Sequence, residues 1–337
     1  MIIGPCRPAR SSQQVTLFKY QALGNTYLIF DPQINLCSAE SIEVSKDWIR
    51  SICSADFGVG SNGLLVGPNS VADGKFEFKV INSDGTLAQL SGNGSRIFAR
   101  YLLDAHYPGA TSDRQFSVVV ISPRSKVVVD ILPATPGDDR ITTDIHVTPA
   151  FGFLAVKART EAVQGDGVFC SVAPLADIWR RHKLAGRWTD SSLVSIGNPH
   201  CVSFFDGLDL LPSIETLSRL RSELALIADR AGENINVVFE EGCNLQWCFV
   251  QDRRTLHLRI VERGEGPTLA SGSSASAAVI AAHSRGLIDD DVTVVMPGGS
   301  LDATLLFDAG RVRGVRLTGR AERLAEIRVS VPVQIGR

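Results

Sequence analysis

Two segments far apart in the chain, Ser91-Gly92-Asn93-Gly94 and Ser271-Gly272-Ser273-Ser274, each open a run with helical character. The first continues as Ser95 to Leu103; the second continues as Ala275 to His283 and stops before Gly286, a suitable C-cap. A small hydroxyl residue followed by glycine leaves the backbone N–H groups of a first helical turn open to an anion. Around each opening runs the same plan of strands, then the helix, then strands. The spacing predicts strands at Thr16–Tyr20, Tyr27–Asp31, Leu64–Val66, Phe76–Ile81, Phe116–Ile121 and Lys126–Ile131, with helices at Ser41–Ser54 and Gly92–Ala105. The second half repeats it with strands at Gly152–Lys157, Val168–Val172, Leu193–Ile196, Cys201–Phe205, Ile235–Phe239, Leu245–Gln251 and Leu256–Val261. The helix at Ser271–His283 follows, then strands at Asp291–Met296, Leu301–Phe307 and Val312–Thr318. Two further helices, Ala176–His182 and Ile214–Asp229, read as surface packing elements. The pattern is an internal duplication in an α/β chain, with two half-sites for one small acidic ligand.

The 337 residues suit two domains, and 44 % apolar content is ample for their cores. A net charge of −2, from 34 basic and 36 acidic residues, gives no electrostatic basis for binding nucleic acid or an anionic membrane. No apolar run nears the ~20 residues that span a bilayer. Seven cysteines are scattered without a Cys-x-x-Cys pair, and their odd number argues against a disulfide framework. They read as free thiols in a reducing, cytoplasmic setting, with Cys201 placed near a site by the turn before it. Residues 1–14 read as a short N-terminal extension, and the Pro/Gly/Asp-rich stretch Pro133–Asp139 as the join between halves.

Six blocks carry a resemblance. They are Phe18-Lys19 through Leu23-Gly24-Asn25; Gly58-Val59-Gly60-Ser61-Asn62-Gly63-Leu64-Leu65; Asn82-Ser83-Asp84-Gly85-Thr86 leading into Ser91-Gly92-Asn93-Gly94; Gly197-Asn198-Pro199-His200; Asn236-Val237-Val238-Phe239; and Glu262-Arg263-Gly264 through Ser271-Gly272. In this order and spacing, from Phe18 to about Leu317, the chain resembles the diaminopimelate epimerase family of cofactor-independent amino-acid racemases and epimerases. The resemblance implies two pseudo-symmetric domains, each a β-barrel-like sheet around a central helix. One would comprise residues 15–145 with 319–337 and the other 146–318, with the ligand between them. It also implies no cofactor and no metal, a small amino-acid substrate, and a homodimer.

One departure is large. In that family, the positions of Ser91 and Ser271 are cysteines, a thiolate base and a thiol acid on opposite faces of the substrate α-carbon. A cysteine thiol titrates near ~8.5, lower at a helix N-terminus. A serine hydroxyl ionises far above that and needs a neighbouring base. No such neighbour is evident in the sequence. Three readings of the serine pair stay open. One is a near-isosteric serine-for-cysteine form of an epimerase acting on a diaminopimelate-like amino acid, which binds without turning over. The second is a family member repurposed for dehydration, cyclisation or assisted proton transfer. The third is a ligand-binding homologue without catalysis.

By the resemblance, Gly92, Asn93, Gly272 and Ser273 hold the substrate α-carboxylate through backbone N–H groups. Asn25, Asn82, Asn198, Asn236 and Arg263 bind substrate, and Glu262 faces the α-amino group. Chemically the set suits a ligand with carboxylates and ammonium groups at both ends. Asn25 and Asn198, beside glycine and proline, also suit plain turns, and Ser91 and Ser271 also suit plain N-caps. His200 reads as an anchor of its turn, Asp84 as an Asx-turn residue, and Ser274 as a residue that narrows the approach to the ligand.

Overall fold

The computed structural model describes residues 12–35, 45–72, 74–88, 91–122, 126–134, 137–146, 163–165, 169–184, 191–229 and 238–332. Its N-terminal half runs β1 (Ser12–Ala22), β2 (Asn25–Phe30), α1 (Lys46–Cys53), β3 (Gly63–Ala72), β4 (Lys75–Asn82), α2 (Gly92–Asp104), β5 (Phe116–Ile121), β6 (Lys126–Ile131) and β7 (Ile141–His146). Alternation builds these strands. In β4, Phe76, Phe78 and Val80 are fully buried while Lys75 and Lys79 face solvent.

The C-terminal half runs β8 (Val163–Gly165), β9 (Cys170–Val172), α3 (Ala173–Arg181), β10 (Ser191–Ser195) and β11 (Pro199–Phe205), then α4 (Ile214–Arg219) and α5 (Arg221–Ala228). After these come β12 (Asn244–Asp252), β13 (Thr255–Glu262), β14 (Gly266–Thr268), α6 (Gly272–Ser284), β15 (Asp291–Met296), β16 (Gly299–Asp308), β17 (Arg311–Gly319) and β18 (Glu322–Pro332).

The strand pairings repeat in the same sense and order. The N-terminal series is β1–β2 antiparallel, β2–β3 parallel, β3–β4 antiparallel, β4–β5 parallel, then β5–β6 and β6–β7 antiparallel. Its counterpart is β10–β11 antiparallel, β11–β12 parallel, β12–β13 antiparallel, β13–β15 parallel, then β15–β16 and β16–β17 antiparallel. In each half the central helix occupies the crossover between the third and fourth of those pairings, so α2 and α6 are equivalent. Among the described residues, β7 pairs with β17 across the two series, and β18 at the end of the chain returns to pair with β1 of the first half.

Each central helix is the axis of its own core. Ile97, Phe98, Tyr101 and Leu102 of α2 pack against Phe76, Phe78, Val118 and Val129, with Phe98 stacked on Phe78 at 4.2 Å between ring centroids. The other axis, α6, is buried on all sides, from Ala275 through Ala282, against Leu256, Leu258, Val294 and Leu317. Its alanines let the strands close tightly around it.

The sequence expectations need correction at several places. The helix expected over Ile214–Asp229 is two helices broken at Leu220, whose φ of −90° and ψ of 6° leave helical geometry. Strand β1 begins at Ser12, pairing with Pro332, so Ser12–Gln14 belong to the sheet rather than to an extension. Strands β7, β8, β14 and β18 were not among the expected strands. The strand expected at Gly152–Lys157, Val168 of the strand expected at Val168–Val172, and residues 235–237 of the one expected at Ile235–Phe239 lie outside the described residues. Among the described residues, no helix is long and apolar enough to cross a membrane.

Candidate active site between two helix openings

Ser91 and Ser271 take the extended backbone of N-caps, with φ of −136° and −147°. The Ser91 Oγ accepts the Gly94 N–H at 3.0 Å, and the Ser271 Oγ accepts the Ser274 N–H at 3.4 Å. In each helix a serine hydroxyl then bonds the carbonyl four residues back, at positions offset by one residue. Ser95 Oγ donates to the Ser91 carbonyl at 2.9 Å, and Ser276 Oγ donates to the Gly272 carbonyl at 3.0 Å. The two helix N-termini meet: a Cβ on Gly272 would stand 3.6 Å from the Gly92 Cα. Between them opens a cleft of about 590 Å³ bordered by both halves. Ser91, Gly92, Asn93, Asn25 and Asn82 border it on one side. Ser271, Gly272, Ser273, Asn198, Glu262 and Arg263 border it on the other. Asn236 lies outside the described residues.

The environments of the two serines differ. The Ser271 Oγ donates to Glu262 Oε2 at 2.9 Å and lies 3.2 Å from the Ser273 Oγ. Burial raises the Glu262 carboxyl above its ordinary range, and the Thr268 and Ser271 hydroxyls only partly oppose this. Ser91 instead receives the Tyr27 hydroxyl at 3.3 Å. Burial pushes that phenol up to about 12, so it is a donor at neutral pH. Among the described residues no carboxylate accepts from Ser91. The expectation that neither serine has a basic neighbour is therefore corrected on the Ser271 side. Glu262 and Ser271 are brought together by the β13–β14 turn, in which Glu262 pairs with Gly266 before the chain enters α6.

A buried polar chain orients the far wall. Gln246 Nε2 donates to His200 Nδ1 at 2.9 Å and to Ser274 Oγ at 3.0 Å. With Nδ1 accepting, the imidazole proton lies on Nε2, which donates to Asn198 Oδ1 at 3.0 Å. Asn198, held through its Oδ1, borders the cleft. Burial first, and Arg263 second, lower His200 to about 3, so the ring is neutral. It anchors its turn, as expected, and does not act as a base. Ser274 does not narrow the cleft: it is fully buried and its hydroxyl turns to Gln246. We expect Gln246→Leu, measured by urea unfolding, to cost about 1–3 kcal/mol by stranding His200 Nδ1 and the Ser274 hydroxyl. An unchanged midpoint would contradict this role.

Sequence reasoning missed Tyr27 and Asn244. Asn244 Nδ2 donates to the Pro199 carbonyl at 3.0 Å while its Oδ1 accepts the Arg263 N–H at 3.0 Å, which ties the Asn198 turn to Arg263. A lone asparagine at the head of the apolar run of β12 was the available signal. The Arg263 guanidinium, at the cleft edge, donates from Nη1 to the Glu241 carbonyl at 2.7 Å. Asp84 forms the expected Asx turn, accepting from the Thr86 N–H at 2.8 Å. Cys201 is fully buried in the core beneath β11, its thiol pushed up by burial, and does not border the cleft.

The family model described as diaminopimelate epimerase matches residues 192–324. Diaminopimelate epimerase 2 of Nostoc sp. is 31 % identical over 299 residues, 84 % of this chain and 86 % of that protein. Diaminopimelate epimerase of Cupriavidus necator is 32 % identical over 313 residues, covering 91 % and 94 %. Among solved structures, a hydroxyproline epimerase of Agrobacterium vitis, with bound trans-4-hydroxy-L-proline, shares the fold at a TM-score of 0.57 and 13 % identity over 97 % of this chain and 94 % of that one. A methylitaconate-delta-isomerase does so at 0.53 and 14 %, over 95 % and 96 %.

Proposed function

Because this chain belongs to the diaminopimelate epimerase family, and is an enzyme of the isomerase type, we propose that it moves the α-proton of a diaminopimelate-like amino acid with Ser271 and Glu262 as the accepting pair. The observation that carries this reading is the 2.9 Å hydrogen bond from the Ser271 hydroxyl to the Glu262 carboxylate at the mouth of a helix. The α-carboxylate rests on the backbone N–H groups of Gly92, Asn93, Gly272 and Ser273. Ser271 Oγ takes the α-proton while its own proton passes to Glu262, and the C–H electron pair delocalises into the carboxylate. The two helix N-termini stabilise the charge that accumulates there.

Return of a proton from the opposite face must come from Ser91. Its hydroxyl has a proton to give, but the alkoxide left behind is high in energy: among the described residues no cation bonds it, and only the Tyr27 phenol and the Gly94 N–H donate to it. Return from the Glu262 side carries no such cost. This asymmetry favours a second reading, in which the chain runs a one-sided proton migration or elimination instead of balanced inversion. In the proposal, residues 15–145 with 319–337 form one half and 146–318 the other, a division supported by the β18–β1 pairing.

The substrate class rests on the polar far wall. Asn25, Asn82, Asn198 and Arg263 suit a carboxylate or ammonium at the distal end. Calorimetry should show diaminopimelate binding more tightly than alanine or norleucine. Arg263→Ala should weaken diaminopimelate by about 1.5–3 kcal/mol with little effect on one-ended ligands. Equal binding of all three would remove the distal-end assignment.

A further inference from the structure

Arg96, in the second turn of α2, is fully buried, with no exposed surface. Enclosing a guanidinium is costly unless a carboxylate pairs with it, and a cation in the early turns of a helix opposes the helix dipole. No ion pair forms with it among the described residues. Nη2 donates to Asn93 Oδ1, while Nε and Nη1 have no hydrogen-bond partner. Burial lowers the group to about 10, which leaves it cationic at neutral pH.

The side chain reaches from one half into the other. Nη1 lies 3.8 Å from the point where a Cβ on Gly272 would stand, and Nε lies 3.5 Å from the same point on Gly319, at the end of β17. Both distances are ordinary van der Waals contacts, so the guanidinium packs directly against the two backbone positions. Asn93, which Arg96 holds, donates from Nδ2 to the Ala270 carbonyl at 3.3 Å, beside Ser271. Arg96 thus sits one residue layer behind the floor where the two helix N-termini meet. Three positive features converge there, and among the described residues no carboxylate pairs with Arg96.

We propose that Arg96 is the buried counter-charge for the ligand's carboxylate, a positioning residue that acts through Gly272 and Asn93 without touching the ligand. It completes a positive floor that is strained when empty and neutralised when a carboxylate seats on the N–H groups above it. Its Asn93–Ala270 link holds the two serine caps in register. The inference rests on the carboxylate placement given under Proposed function, but not on turnover or on the identity of the distal end.

The test is thermal unfolding of the full chain in rising sodium acetate against sodium chloride at equal ionic strength, with diaminopimelate titrated in parallel by calorimetry. Wild type should be stabilised by acetate beyond chloride. Arg96→Met should melt at the same temperature or higher without ligand, since an unpaired buried charge is gone. It should lose the acetate-specific stabilisation and bind diaminopimelate roughly 10- to 100-fold more weakly. Arg96→Lys, which keeps the charge, should retain most of the acetate response, and it carries the test if the methionine variant fails to fold. A lower ligand-free melting temperature in Arg96→Met with an unchanged acetate response would make Arg96 a scaffold residue and overturn the proposal. A lysine variant that folds but responds no better to acetate than to chloride would do the same, as would a wild type indifferent to acetate. Acetate stabilisation without diaminopimelate binding would leave the counter-charge standing and remove only the substrate assignment.

Discussion

Replacing both Ser91 and Ser271 by cysteine should raise exchange of the α-proton of diaminopimelate with solvent deuterium by roughly 10²–10⁴-fold over the serine form. The reason is the proton affinity of the two caps. A thiol titrates near ~8.5, and less at a helix N-terminus, so a useful fraction is thiolate at neutral pH. A serine alkoxide is not populated there. The two single replacements should be unequal. Ser271 already has Glu262 at 2.9 Å, whereas among the described residues Ser91 has only donors, the Gly94 N–H and the Tyr27 hydroxyl. Ser91→Cys should therefore recover more inversion than Ser271→Cys. Proton NMR in deuterated buffer reads both exchange and stereochemistry. A double-cysteine chain that binds diaminopimelate yet exchanges nothing would show that the cleft has been rebuilt for a different reaction.

The second large effect lies at Glu262. Glu262→Gln preserves the shape of the side chain and its contact with Ser271 but cannot accept the proton, so residual exchange by the serine form should fall by about 10²–10⁴-fold. Binding measured by calorimetry should change far less. Because burial raises the Glu262 carboxyl, and the base must be ionised, exchange should be lost as pH falls through that raised value. The acid limb should therefore lie above the ordinary glutamate range near ~4.3. That limb should vanish in Glu262→Gln. Exchange that is unaffected by the substitution would place the base elsewhere.

Much of this architecture was legible because apolar alternation and N-cap chemistry are local. Strands β5, β6 and β15 begin and end with the β-rich runs that predict them, and both central helices start on the serine–glycine openings. Strand β7 escaped notice because it is polar: its Asp144 is held by Arg316 of β17 at 2.6 and 2.9 Å, and the Thr143 hydroxyl donates to the Leu317 carbonyl. Those partners sit far along the chain, so only the folded sheet reveals why polar residues are tolerated. The break at Leu220 was hidden because an apolar residue there fits a helical stripe equally well.

The same distinction divides the site. Asparagines, glycines and serines in recognisable blocks led to one cleft. What the blocks did not disclose were relations between them: the turn that brings Glu262 onto Ser271, the Tyr27 phenol on Ser91, and the Gln246–His200–Asn198 chain. The absence of an obvious base in the linear sequence was a statement about neighbours in sequence, and Glu262 becomes a neighbour only when β14 folds back on β13.

The central claim is that proton transfer runs from the Glu262–Ser271 face while the Ser91 face lacks a base. The most direct measurement is to incubate a single stereoisomer of diaminopimelate with the chain in deuterated water. Deuterium uptake at the α-carbon and appearance of the inverted isomer are then followed together. Uptake with retained configuration should outrun inversion. Inversion as fast as, or faster than, deuterium uptake with retention would show two working bases and contradict the account.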